Sequence, residues 1–190
     1  MSDPASYILQ QEFRQNTLRD RGIYYFSGEF CHSSVQEAIT WILEANIQSN
    51  PPENLTLIIT SQGGDLFSAF ALIDVMRGSK IPIHTVGLGI IGSAGLLTFI
   101  AGEPGERVIT PNTSLLSHQW SWGAYGKEHE LIASNKQFDI MTKKMITHYK
   151  KCTKLSEKII REKLLPAQDV WLTSEEAKEF NLVDTIKDLR

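Results

Sequence analysis

Strand-like and helix-like stretches alternate along the first half of this chain, and this alternation limits its fold more than any other feature. Three short apolar runs, at residues 23–26, 55–60 and 83–88, have the length and residue types of buried strands. After each run, small or polar residues lead into a segment with helical spacing of its apolar residues. Strands that alternate with helices predict an α/β fold. Because no repeat or linker divides the 190 residues, we expect one domain at residues 21–190, preceded by a polar arm at residues 1–20.

A much longer helical pattern extends from Leu131 to Cys152. Its apolar positions recur at steps of three and four residues, over about seven turns. The positions that define it are Leu131, Asn135, Phe138, Met141, Met145, Tyr149 and Cys152. A helix of this length in so small a domain predicts that one part projects and buries its apolar stripe against another subunit, although a single core helix is the alternative.

Composition and charge exclude several classes of function. The formal net charge of −3 and the pI near 6.0 provide no basic surface for nucleic acid. The longest apolar stretch, Leu88 to Ala101, is interrupted by glycine and serine and is too short to span a bilayer. The first residues lack the apolar core of a secretion signal. Cys31 and Cys152 lie far apart, so we expect reduced thiols and a cytoplasmic protein.

Ser93 lies between small residues, where a predicted strand ends and a predicted helix begins. The strand leads into Gly92-Ser93-Ala94-Gly95, and an apolar helical segment follows. A hydroxyl in this position is accessible to a substrate and lies in the positive field at the start of the helix. Ser93 is therefore a candidate nucleophile, although small residues can also simply allow tight packing. The GxSxG pattern of α/β-hydrolases is not met, because position 91 is isoleucine.

The same stretch also matches a dinucleotide-binding pattern. Residues 87–92 read GxGxxG, follow a predicted strand and precede a predicted helix. That interpretation needs an acidic residue about 20 positions later to hold the ribose. Residues 110–113 are Thr, Pro, Asn and Thr, so no carboxylate is available there. The sequence therefore argues against a dinucleotide site.

Three further features supply the groups that a serine nucleophile needs. The pair Gly63-Gly64 follows a predicted strand and can direct backbone N–H groups towards an oxyanion, or it can be an ordinary tight turn. His118 ends an apolar strand beside a polar, aromatic segment, which makes it the histidine best placed to act as a general base. Asp169 can orient the imidazole, or it can cap a helix. Together these residues predict a serine hydrolase.

As a set, these motifs resemble the ATP-dependent Clp protease proteolytic subunit family (the ClpP family). The similarity covers residues 21–184 and keeps the family's order of serine, histidine and aspartate. The segments that carry it are Thr60-Ser61-Gln62-Gly63-Gly64, Gly92-Ser93-Ala94-Gly95, His118-Gln119-Trp120, Asp169-Val170-Trp171-Leu172-Thr173 and Asn181-Leu182-Val183-Asp184.

The resemblance implies a crotonase-like α/β fold (the ClpP fold) of repeated strand-strand-helix units, with a protruding handle helix at about residues 128–152. It makes Ser93 the nucleophile, His118 the general base and Asp169 the residue that orients the base. The backbone N–H groups of Gly64 and Ala94 would form the oxyanion hole. Substrate would contact the residues on either side of the cleft, which are Asp65, Leu66, Gln119 and Trp120. No metal or cofactor is implied.

The resemblance also implies an assembly. Family members form a homo-oligomer, a heptamer or double heptamer, that degrades unfolded polypeptides inside a chamber and works with an AAA+ unfoldase. Trp120 and Trp122 stand where the family usually has proline and glycine, which predicts a narrower cleft or a changed contact between rings. Two alternatives remain open: a catalytically inactive ring subunit, and an acyl-CoA hydratase or isomerase on the same fold that would use Asp65 as its acid or base.

Overall fold

The computed structural model describes residues 17–189, which form a mixed sheet packed against helices. The strands are β1 (Ile23–Phe30), β2 (Leu55–Gly64), β3 (Ile83–Gly92), β4 (Arg107–Ile109), β5 (Ser114–Ser117), β6 (Val170–Leu172) and β7 (Thr185–Ile186). The helices are α1 (His32–Ile47), α2 (Leu66–Gly78), α3 (Ala94–Phe99), α4 (Glu128–Thr153), α5 (Glu157–Ile159) and α6 (Ser174–Glu179), with a π-helical turn at Ile160–Leu164. The predicted α/β fold is confirmed. The arm predicted at residues 1–20 lies mostly outside the described residues.

The sheet divides at β3. The main path runs β1-β2-β3-β4-β7, with all neighbours parallel. The first part of β3, Thr85 to Gly87, pairs with β4, whereas its last part, Ile90 to Gly92, pairs with β5. β5 in turn pairs with β6, and this is an antiparallel pair. The branch made by β5 and β6 therefore lies beside the carboxyl end of β3.

Helix α3, which directly follows Ser93, is buried at every position from Ala94 to Phe99. A helix of six residues is not stable alone, so its stability comes from the surrounding core. Strand β2 contributes Leu55, Leu57 and Ile59, each fully buried, to that core. The turn that carries Ser93 is thus held between a long strand and an enclosed helix.

Helix α4 has two halves with different surroundings. It spans 26 residues, about 39 Å at 1.5 Å per residue, and confirms the long helix expected from the sequence. Its second half is anchored in the core through Met141, Met145 and Tyr149. Its first half, from Glu128 to Ile140, has no buried residue and projects from the rest of the chain.

A buried ion pair fixes the last strand to the sheet. Arg107, at the start of β4, is 5% exposed, and its Nη2 lies 2.6 Å from Oδ1 of Asp184. Its Nη1 donates to the backbone carbonyls of Cys152 and Asn181. Asp184 Oδ2 also accepts a hydrogen bond from the Gly105 N–H. Burial alone would raise the pKa of Asp184, but the hydrogen bonds from Arg107 outweigh it and hold that pKa below its ordinary value.

Replacing Asp184 by alanine is expected to destabilise the fold by about 3–5 kcal/mol, because it leaves the Arg107 guanidinium buried without its partner. The measurement is the free energy of unfolding in urea. The stabilisation requires an ionised Asp184, whose folded-state pKa is depressed. The stabilisation by the ion pair is therefore fully present above the pKa of Asp184 in the unfolded chain, about 3.9. It is lost as the pH falls through the lower pKa of Asp184 in the folded protein. The difference between the two proteins should accordingly shrink below about pH 4.

The exposed pair of Glu157 and Arg161 provides the matched control. Its side chains are 49% and 54% exposed, so Glu157→Ala should cost no more than about 1 kcal/mol. Equal losses in Asp184→Ala and Glu157→Ala would contradict the role given to the buried pair.

Candidate active site

The three candidate catalytic residues lie at one edge of the sheet, on three neighbouring strands. Ser93 directly follows β3, and His118 directly follows β5, which is parallel to β3. Asp169 directly precedes β6, which runs antiparallel to β5. The carboxyl ends of β3 and β5 and the amino end of β6 therefore meet at the same edge, with His118 on the middle strand.

The strand register brings these residues close together. Gly92 pairs with Leu116, and the Ser93 N–H continues the ladder by donating to the Leu116 carbonyl at 2.9 Å. Ser117 pairs with Val170, which is the last pair of this antiparallel ladder, and His118 and Asp169 are the residues directly beyond it on the two strands. Pairing of β5 with β6 thus brings Asp169 to the edge of the sheet at which His118 lies.

Ser93 has an unusual backbone conformation for a residue with a side chain. Its φ of 52° and ψ of −120° lie outside the regions that such residues normally adopt, at a cost of about 1–3 kcal/mol. The conformation makes a sharp turn from β3 into α3, the type of turn that presents a nucleophile at the top of a strand. The packing of the buried strand and helix on either side of the turn holds Ser93 in this conformation despite its strain.

The glycine pair before α2 packs against this turn. Gly63 has a φ of +114°, and a Cβ there would lie 2.6 Å from the Ser93 Cβ and 3.1 Å from the Ala94 nitrogen. Gly64 has a φ of +141°, and a Cβ there would collide with the Phe30 carbonyl oxygen. Ala94 is the first residue of α3, so its N–H has no acceptor within the helix. Gly63 is therefore required for the close approach to Ser93, and Gly64 for the close approach to β1. Of the predicted oxyanion donors, Ala94 directly follows the serine and Gly64 lines the same cleft.

A cleft of about 380 Å³ opens beside Ser93 and His118. Gly64 and the predicted substrate residues Asp65, Leu66 and Trp120 also line it. Its wall is mostly apolar and aromatic, with Leu66, Phe67, Leu97, Trp120, Met145 and Tyr149 contributing side chains. A concave, mostly apolar cleft with a few polar groups is the usual form of a ligand-binding site.

The imidazole of His118 is held by its own chain. Its Nδ1 is hydrogen-bonded to the backbone carbonyl of Gln119. A carbonyl can only accept, so Nδ1 carries the proton and the neutral ring has Nε2 free as an acceptor. Among residues 17–189, no side-chain hydrogen bond links His118 to Ser93 or to Asp169, and Asp169 is exposed. The structure brings Ser93 and His118 to one cleft and places Asp169 directly before β6, the strand that pairs with β5. The three side chains are not connected by hydrogen bonds.

Two of the predicted substrate contacts have other partners. Asp65 caps α2, since its Oδ1 accepts from the Ser68 N–H at 2.7 Å and from the Ser68 hydroxyl at 2.6 Å. Burial raises the pKa of Asp65, but these hydrogen bonds outweigh it and lower the pKa below its ordinary value. The Gln119 side chain does not line the cleft, because its Nε2 donates to the Leu165 carbonyl at 3.0 Å. Direct contact of Gln119 with substrate stays a prediction.

Four residues that line the cleft were not identified from the sequence: Phe67, Leu97, Met145 and Tyr149. Met145 and Tyr149 do belong to the apolar stripe of α4, but the stripe does not indicate which neighbour they face. Tyr149 is fully buried, and burial raises its pKa to about 12. Its hydroxyl is hydrogen-bonded at 2.8 Å to Ser117 Oγ, which donates to the Leu164 carbonyl. This network fixes the end of β5, directly before His118.

The described part of the chain contains no cluster of three or more potential metal-ligating side chains. In residues 17–189, no helix combines the length and the apolarity needed to cross a membrane.

Comparison with known proteins gives a consistent result over nearly the full length. The model of the Clp protease family matches residues 10–190. An ATP-dependent Clp protease proteolytic subunit of Deinococcus radiodurans is 30% identical over 191 residues, which covers 96% of this chain and 91% of that protein. The ATP-dependent Clp protease proteolytic subunit 1 of Chlamydia abortus is 30% identical over 176 residues, covering 90% of this chain and 89% of that protein.

Proposed function

Because this chain belongs to the Clp protease family, we propose that Ser93, His118 and Asp169 are the catalytic triad of this serine endopeptidase subunit. Family members are oligomeric peptidases that act on polypeptides. The observation that carries the assignment is the convergence of Ser93 and His118 on one apolar cleft, with Asp169 on the strand beside His118. We also propose that residues 21–190 act as one domain.

In the proposed reaction, Ser93 Oγ attacks the carbonyl carbon of the scissile peptide bond while His118 Nε2 takes its proton. The negative charge that develops on the carbonyl oxygen is stabilised by the N–H groups of Gly64 and Ala94. The imidazolium then gives the proton to the leaving amine, and the acyl group stays on Ser93. Water, deprotonated by the same imidazole, releases the acid and restores the serine.

Asp169 has a separate role in this proposal. The Gln119 carbonyl already selects the tautomer with Nε2 unprotonated, but a neutral carbonyl stabilises an imidazolium less than a carboxylate does. Asp169 directly precedes β6 and His118 directly follows β5, and the Asp169 carboxylate is exposed and without a hydrogen bond among the described residues. We propose that assembly turns the ring from Gln119 to Asp169, which completes the triad.

The projecting half of α4 supports an assembled particle. Four large apolar side chains lie exposed on it: Leu131, Ile132, Phe138 and Ile140. Helical segments that expose such residues commonly bind another chain. We propose that α4 is the handle between two rings of seven subunits, and that an AAA+ unfoldase supplies unfolded substrate.

A cytoplasmic location is part of the proposal, because Cys31 and Cys152 are free thiols, as in a reducing compartment.

The site also bears on the two alternatives. An acyl-CoA hydratase on this fold would need Asp65 as a mobile acid or base, but Asp65 is engaged as the cap of α2 and its pKa is lowered rather than raised. For the inactive ring subunit, the relevant observation is the strained backbone at Ser93, because strain of this kind clusters at active sites, where it takes part in the mechanism. Both observations favour the peptidase.

Native mass spectrometry after treatment with a fluorophosphonate tests the function and the assembly together. We expect a particle of seven or fourteen chains with one adduct per chain, and peptide mapping should locate the adduct at Ser93. A monomer at micromolar concentration would contradict the chamber. A chain of any oligomeric state without an adduct at Ser93 would contradict the peptidase.

A further inference from the structure

A second cavity lies directly behind the wall of the catalytic cleft. Its volume is about 170 Å³, and its lining includes Phe138, Thr142, Met145, Ile146 and Leu165. Two residues, Trp120 and Met145, line both this cavity and the catalytic cleft. They therefore form the partition between the two spaces. Apart from Gln119, Thr142 and Arg161, the lining of the second cavity is apolar.

Trp120 is fixed in this partition by contacts with α4. Its indole Nε1 donates a hydrogen bond to Thr142 Oγ1 at 3.2 Å. Its ring stacks on Phe138, with 5.1 Å between the ring centroids and 21° between the planes. Trp122 contacts it from the rim, also with 5.1 Å between centroids. A side chain that is hydrogen-bonded and stacked in this way does not move aside without losing both interactions.

Met145, the other shared residue, is unbranched and adapts readily to its neighbours, so it is a poor barrier by itself. The indole of Trp120 is large, planar and anchored, and it is therefore the element that limits how far a substrate side chain can enter. The cleft and the cavity behind it would be continuous if this ring were absent.

We propose that Trp120 determines the depth of the specificity pocket, and that the cavity behind it is an extension of that pocket from which Trp120 separates the substrate. The occupant is the side chain of the peptide residue that precedes the scissile bond. With Trp120 in place the pocket discriminates against large aromatic side chains, and without it the extension accepts them. The inference rests on the proposed function, because it requires the acyl group to be transferred to Ser93.

The test uses diphenyl phosphonate analogues of alanine, phenylalanine and tryptophan, which react with an activated serine and carry the corresponding side chain. Rates of adduct formation at Ser93 are measured by intact mass for the wild-type assembly and for Trp120→Ala. We expect the ratio of the tryptophan rate to the alanine rate to rise by about 10–200-fold in the variant, the range by which apolar pockets discriminate between side chains of different size. Tyr125→Ala is the matched control: Tyr125 is an exposed aromatic residue of the same segment that lines neither the cleft nor the second cavity, so the ratio should stay near that of the wild type.

Trp120→Leu keeps an apolar side chain against α4, and it replaces Trp120→Ala in the test if the alanine variant does not fold. It should shift the ratio in the same direction by a smaller factor. A wild-type ratio in folded Trp120→Ala or Trp120→Leu protein, with Ser93 still modified, would overturn the role of Trp120 and leave the peptidase intact. Failure of every probe, including a fluorophosphonate without a side chain, to modify wild-type Ser93 would overturn both the peptidase and this inference.

Discussion

Replacing Ser93 by alanine is expected to lower kcat for peptide hydrolysis by about 10⁶-fold, the loss typical of a serine peptidase deprived of its nucleophile. Alanine keeps the Cβ atom that the turn already accommodates, so the fold and the oxyanion donors should be unchanged. The residual rate would come from binding and from the N–H groups of Gly64 and Ala94. The measurement is the hydrolysis of a fluorogenic peptide by the assembled protein, together with fluorophosphonate labelling.

Ser121 gives a matched control, because it is a second serine that lines the same cleft. Ser121 lies in an exposed segment after β5, whereas Ser93 lies at a strained strand-to-helix turn. We therefore expect Ser121→Ala to retain the fluorophosphonate adduct at Ser93. Cleavage that persists in Ser93→Ala but disappears in Ser121→Ala would reverse the assignment of the nucleophile.

Asp169→Asn is expected to lower kcat by about 10⁴-fold, with little change in KM. The amide retains the shape of the side chain but loses the charge that stabilises the imidazolium, and its NH₂ group can hold the ring in the wrong tautomer. The measurement is the steady-state kinetics of the assembled enzyme, with the stability of each variant checked by thermal unfolding. Asp74→Asn, an exposed carboxylate on α2, is the control and should have wild-type kinetics.

The same experiment decides between two partners for His118 Nδ1. If the Gln119 carbonyl remains its acceptor during catalysis, Asp169→Asn should change kcat by less than about tenfold, because the tautomer would still be correct. A small effect would thus assign the orienting role to Gln119 and remove Asp169 from the triad.

The sequence predicted those parts of the structure that depend on local pattern. Alternating strand and helix signals identified the fold class, and the spacing of apolar residues gave the length of α4 to within one residue at its end. The turn at Ser93 was also predictable, because small residues follow an apolar run. Gly87 and Gly89 of the GxGxxG match lie within β3, where Gly87 leaves room for the side chain of Ile91.

Features that depend on pairing between distant segments could not be predicted from single motifs. From the sequence alone Asp169 could equally cap a helix, and only the pairing of β5 with β6 brings it to the same edge of the sheet as His118. The direction of the Gln119 side chain depends on the Leu165 carbonyl, which belongs to a different part of the chain. The partition formed by Trp120 likewise requires Phe138 and Thr142 of α4, and a linear pattern does not indicate which tryptophan will stack on them.

The projecting half of α4 has a consequence for the lifetime of newly made chains. A helical segment of this length with few tertiary contacts, here mainly the stacking of Phe138 on Trp120 at its end, is only marginally stable in water, so its backbone opens often in a free subunit. Ile132, which is 63% exposed, lies in that segment. Proteases cleave exposed, unfolded backbone most readily, and binding of α4 to a partner subunit, as proposed above, would protect this segment from cleavage. Surplus subunits would therefore be degraded faster than assembled ones, which keeps the pool of orphan chains small without a dedicated regulator.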